Sequence, residues 1–115
     1  MSTAFEKPAV LKWPVTINIP RDGGRIKAVT RTVHYELIPQ AEFSAIYKDG
    51  GNDEDLLRKV VVGWGTDMVD ANNDPVPFSE DELDSMIDTS YVRIAFVNGY
   101  LECSSGKAAA RKNSR

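Results

Sequence analysis

The chain has 115 residues, 42% of them hydrophobic, which suits one domain with one core and leaves no room for a second. Its one cysteine, Cys103, forms no internal disulfide, and no long apolar run or positively charged leader is present, which argues against a membrane span and Sec-type secretion and for a reducing cytoplasm. The net charge of −3 is segregated, with seven Lys and Arg against four Asp and Glu over residues 1–48, two against twelve over 49–88, and five against one over 89–115, so the middle repels nucleic acid and suits a basic protein surface.

Residues 1–12 are mixed and contain Pro8, and read as a flexible N-terminal arm, ordered only where something docks it. The period then becomes two. Val15, Ile17 and Ile19 alternate with Thr16 and Asn18, Pro20-Arg21-Asp22-Gly23-Gly24 supplies a turn, and Val29, Val33, Tyr35 and Leu37 share one face of a returning strand. This is a β-hairpin whose second strand reads longer than its first, leaving room for an edge strand from the arm or from another subunit. Pro39 closes the sheet region, and Phe43, Ile46 and Tyr47 take helical spacing up to Asp49-Gly50-Gly51. Asn52 or Asp53 can cap the next helix, in which Leu57, Val60, Val61 and Trp64 form a stripe with Arg58 and Lys59 outside it, and Gly63 and Gly65 weaken its end.

Another helix start falls at Ser79. Its hydroxyl can cap the helix N-terminus, Glu82 can reach back to the N–H of Ser79, and Phe78 and Leu83 are spaced as a hydrophobic staple. This predicts an acidic helix over 80–87. Asp88 or Thr89 then starts a last helix with Val92, Ala95, Phe96, Gly99, Tyr100 and Cys103 at helical spacing; Ile94, Val97 and Leu101 widen that face, which predicts a helix central in the core. Residues 104–115 are small, polar and basic, and are expected to be a disordered tail. The fold class is therefore α+β: residues 13–103 make a single domain in which an N-terminal antiparallel hairpin or small sheet packs against about four short helices.

No motif for chemistry is complete. Asp70, Asn72 and Asp74 match the first ligand positions of a calcium loop, but Pro75 stands where glycine is needed and Asp81 where a bidentate glutamate belongs, so a polar turn with Asn73 in left-handed geometry is expected. Gly99 to Lys107 fails the spacing of a phosphate loop, and Ala108 lacks the hydroxyl. His34 stands alone in a strand, and Cys103 lies on an apolar stripe without a base beside it in sequence. Glu80, Asp81, Glu82 and Asp84 open a helix, where carboxylates interact favourably with its dipole. The expectation is a protein that is not an enzyme and has no catalytic, metal or cofactor site. Trp64, Phe78, Tyr91 and Tyr100 are core residues by default, and an exposed one among them would be an anchor for a partner.

The order of features, rather than any one of them, carries a resemblance. Val60-Val61-Val62-Gly63-Trp64, a turn with Asp70 and Pro75, Pro77-Phe78-Ser79-Glu80, a short acidic helix, a last helix with Tyr100, and Gly106 followed by Lys112-Asn113 resemble the tail assembly chaperones of long-tailed bacteriophages and prophages, over roughly residues 29–113. Two features depart from that pattern: the turn glycine is replaced by Asn73 or Asp74, and Asn98-Gly99 interrupts a helix usually richer in alanine. The resemblance implies an ATP-independent binding protein of the host cytoplasm, absent from the mature virion, that keeps the tape-measure protein, the tail-tube protein or both soluble, with self-association a further option. It also implies that this chain is the shorter of two products where the gene has a frame-shifted extension. The surface offered for contact is the acidic helix, Glu80, Asp81, Asp84 and Asp88, with Phe78 or Trp64 as apolar anchor. Two other readings are a structural tail or head–tail connector component, and a helix-turn-helix DNA-binding regulator, which the acid on helix 80–87 disfavours.

Overall fold

The alternation at Val15 and Ile17 becomes strand β1 (Leu11–Arg21), paired antiparallel with β2 (Arg25–Tyr35) from Leu11 opposite Tyr35 to Arg21 opposite Arg25, in a computed structural model that describes residues 9–106. Asp22–Gly24 turns the chain, with Gly23 and Gly24 at φ +75° and +78°, a backbone that strains any residue bearing a Cβ. Strand β1 begins two residues inside the segment expected to be an arm, and the two strands are equally long; residues 1–8 of that arm and 107–115 of the expected tail lie outside the described residues.

Helix α1 (Gln40–Lys48) and helix α2 (Asp53–Val60) follow. The chain enters α2 through a full capping box: Asn52 accepts from the Asp55 N–H at 3.1 Å, and the Asp55 carboxylate accepts from the Asn52 N–H at 3.0 Å. The helix expected to run on to Trp64 stops at Val60. Val61–Trp64 is instead strand β3, antiparallel to β2, giving a three-stranded sheet in the order β1-β2-β3. Three consecutive β-branched valines favour extended backbone, and β2 supplies hydrogen-bonding partners that no local pattern announces. Gly63 lies against His34, so a Cβ there would stand 3.1 Å from the imidazole Nδ1. The stripe residues Leu57, Val60, Val61 and Trp64 are all buried, so the periodicity found the core while misassigning part of the element.

Helix α3 (Glu80–Ile87) starts where the sequence places it, with the Ser79 hydroxyl accepting from the Glu82 N–H at 3.1 Å. Helix α4 (Ser90–Ser104) lies across the sheet, against β1. Ala95, Phe96, Gly99, Tyr100 and Cys103 face the core, whereas Ile94 and Leu101 are 57% and 43% exposed. This corrects the expectation of a helix buried nearly all round: one face packs on the sheet and the other carries exposed apolar side chains. Tyr35 ties helix to sheet, its buried hydroxyl donating to the Phe96 carbonyl at 2.7 Å, and Tyr100 Oη accepts from the Ile38 N–H at 3.2 Å. The fold is α+β, an N-terminal antiparallel sheet with four helices after it in sequence except where β3 intervenes.

Candidate functional site

An amphipathic concavity lies where α2, β3 and α3 meet. Val61 and Val62 of β3, Phe78 of the loop before α3, and Leu83 of α3 supply apolar surface, while Arg58, Glu80 and Asp84 supply charge. The space is about 390 Å³ and opens to solvent. Leu83 is buried and Val62 is 40% exposed, so the groove has a packed floor and an apolar side chain left on its rim.

Local rules place each wall. The Ser79 cap fixes the start of α3, so Glu80 and Asp84 lie one turn apart on the same side. Behind Phe78, Trp64 packs edge-to-face at 4.8 Å between ring centroids, and its indole N–H donates to the Val76 carbonyl at 2.6 Å. Trp64 is therefore a core residue that backs Phe78, and its small exposure gives it no surface on which to anchor a partner.

Arg58 joins the two helices. Its Nε donates to Asp84 at 2.8 Å, and its other nitrogens lie 3.5 Å from Glu54 and 3.6 Å from Asp55. The hydrogen bond to Asp84, aided by the neighbouring carboxylates, holds the guanidinium above its usual range. Arg93 also reaches Glu54, at 3.9 Å, so two cations face Glu54, Asp55 and Asp84, and with Glu80 added the charge around the groove stays acidic. Asp81 and Asp88 are exposed on α3 and at its C-terminal cap and do not line the groove. Of the six expected contact residues the structure thus brings Phe78, Glu80 and Asp84 together. Arg58, Val61 and Val62 join them unannounced, because the sequence reading assigned them to a helix and gave them no surface in common with Phe78.

The remaining motifs resolve into local structure. Asp70 accepts from the N–H groups of Asn72 and Asp74 at 2.8 and 3.0 Å, and Asn73 has φ 64°, which is the polar turn expected. Among the described residues no group of three or more His, Cys, Asp or Glu is arranged to hold a metal ion, and no helix is long and apolar enough to cross a membrane. Burial raises the pKa of the Cys103 thiol, opposing thiolate formation.

Fold and groove together define a small α+β domain with an open cleft that is apolar at its base and acidic at its edge. Comparison with family models, curated proteins and solved structures gives no match. The functional reading therefore rests on the groove's chemistry and on the sequence resemblance.

Proposed function

We propose that the protein is a tail assembly chaperone of a long-tailed bacteriophage or prophage. It binds the tape-measure protein, the tail-tube protein or both in the cytoplasm of the bacterial host, keeps them soluble until the tube polymerises, is left out of the mature virion, and catalyses no reaction. One observation supports this most: the groove at Val61, Val62, Phe78 and Leu83 has apolar surface open to solvent and an acidic rim at Glu80 and Asp84. Such a groove receives an apolar side chain from an amphipathic segment flanked by Lys or Arg, the helix-in-groove mode of peptide binding. A tape-measure protein, long and helical with an apolar stripe, offers many such segments.

Co-expression with the neighbouring tail-tube and tape-measure genes tests the proposal. Their soluble yield is expected to rise with this chain and to fall back with Val62→Asn, which makes the exposed part of the groove polar. Unchanged solubility of both would overturn the reading. A second reading, a structural component of the tail or connector, is favoured by the exposed hairpin tip from Pro20 to Lys27, which suits insertion into a neighbour. Detection of the chain in purified particles would select it.

A further inference from the structure

The hairpin has two edges, and they are built differently. Along β1 every residue pairs with β2, and the residues whose backbone groups turn outward include Pro14 and Pro20, which have no N–H to offer. That edge is closed to further strands in the usual way. On the other side β2 pairs with β3 only at Val33, His34 and Tyr35, so its backbone from Arg25 to Arg31 has no strand beside it among the described residues.

Which groups face that gap follows from the ladder. The Gly65 N–H donates to the Thr32 carbonyl at 3.0 Å, and the Glu36 N–H donates to the Val60 carbonyl, so even-numbered residues of β2 turn their backbone toward β3. Thr30, Ala28 and Ile26 continue the same edge without a register shift. Side chains cover its inner end: the Asp67 carboxylate accepts from the Thr32 N–H at 3.0 Å, as a strand carbonyl would, and the Arg31 guanidinium donates to the Thr30 carbonyl at 3.0 Å. Beyond them no strand covers this edge among the described residues; it contains no proline and includes Ile26, 62% exposed.

The charge on this edge selects its occupant. Arg25, Lys27 and Arg31 share the face of β2 that also carries Val29, and none of them takes part in an ion pair among the described residues. The same strand of a second copy, run antiparallel about Ala28, would set Arg25 against Arg31, and like charges directly opposite destabilise a pair. We propose that the open edge of β2 over Arg25–Arg31 takes up an extended segment of a partner protein as a fourth strand, collinear with β3, and that this segment carries Asp or Glu at alternate positions with Val- or Thr-like residues between. Backbone hydrogen bonds to Ile26, Ala28 and the Thr30 N–H supply affinity, as in other cases of strand addition, and the three cations select the acidic face. This surface is separate from the groove at Phe78, and its test is independent of the groove's.

The experiment is fluorescence anisotropy of the full chain with a labelled peptide of about nine residues alternating Glu with Val or Thr. Two further probes are N-methylated at alternate residues, one on each edge, which removes donors from that edge and leaves charge intact. Saturable binding is expected, with one N-methylated probe losing at least about tenfold in affinity and the other retaining most of it, since only one edge meets β2. Lys27→Glu, at an exposed position, is expected to cost a similar factor while leaving the circular dichroism unchanged. No binding, or equal binding of both N-methylated probes, overturns the proposal. So does displacement of the peptide by a DNA duplex at the same concentration, or exclusion of the peptide by dimerisation of the chain.

Discussion

A Cβ on residue 99 would stand 2.7 Å from the hydroxyl of Tyr35, so Gly99 is the reason α4 can lie close enough to the sheet for that hydroxyl to reach the Phe96 carbonyl. Helix propensity alone favours alanine at this position by about 1 kcal/mol. Both obstructing groups are pinned, however: Tyr35 is fully buried and hydrogen-bonded, and the second contact, Val15 Cγ2 also at 2.7 Å, belongs to a buried strand residue. Overpacking of this kind costs about 1–3 kcal/mol. Gly99→Ala is therefore expected to lower the urea midpoint, and combining it with Tyr35→Phe, which removes one of the two clashing atoms, should cost less than the sum of the single changes.

The two helix caps make a paired prediction. Asn52 and Asp55 satisfy each other's backbone N–H groups, whereas Ser79 satisfies one N–H of α3. Ser79→Ala is expected to cost about 1 kcal/mol. Asn52→Ala also deprives the Asp55 N–H of its acceptor and frees the carboxylate that completes the box, so it should cost more, up to about 2 kcal/mol. Chemical denaturation of the two variants side by side measures the difference, and an equal or reversed order would show that the box adds nothing to a single cap.

What the sequence revealed and what it hid divide by distance along the chain. The Ser79 cap, the Gly23-Gly24 turn and the left-handed Asn73 are local chemistry and were legible. Strand β3 was not, because Val61 and Trp64 are buried whether they belong to a helix or to a strand, and the deciding partner, His34 opposite Gly63, lies far back in the chain. Gly99 is visible in sequence only as an interruption of the last helix on its core-facing stripe; the groups that require it, Tyr35 and Val15, lie far back in the chain. The groove was half visible: Phe78, Glu80 and Asp84 are near one another in sequence, whereas Arg58 and Val62 reach them only through tertiary packing of α2 and β3 on α3. The uncovered edge of β2 depends on β3 being short, which no hydrophobic pattern records.

Alkaline pH should destabilise the fold. Burial pushes the Tyr35 phenol far above its ordinary value of 10.0, with the charges of Cys103 and Glu102 adding to the effect, and burial likewise raises the Cys103 thiol above 9.0. In both cases the native state holds its proton more tightly than the unfolded chain does. The resulting stability is fully present below the unfolded values and is lost as pH climbs past them toward the raised native ones. For Tyr35 alone the slope is about 1.4 kcal/mol per pH unit above its unfolded pKa. Urea midpoints followed from neutral pH upward should stay level and then fall, and Tyr35→Phe should flatten the fall although it lowers stability at neutral pH.

Two substitutions in the groove separate folding from binding. Arg58 is about half exposed, with three carboxylates around it, and ion pairs in that setting are screened by solvent and contribute little to stability. Arg58→Met should therefore leave the urea midpoint nearly unchanged, while its loss unmasks Asp84 and makes the rim of the groove more negative by one charge. If the partner is basic, its affinity rises and becomes more sensitive to salt. Val62→Asn leaves the charge unchanged and removes apolar contact from an exposed position, so it should weaken the same complex at every salt concentration with little effect on the melting temperature. Titrating both variants against the tape-measure and tail-tube proteins at low and high salt gives the comparison; a partner that binds Arg58→Met more weakly than the natural chain would show that Arg58 itself makes the contact and that the groove favours acidic segments.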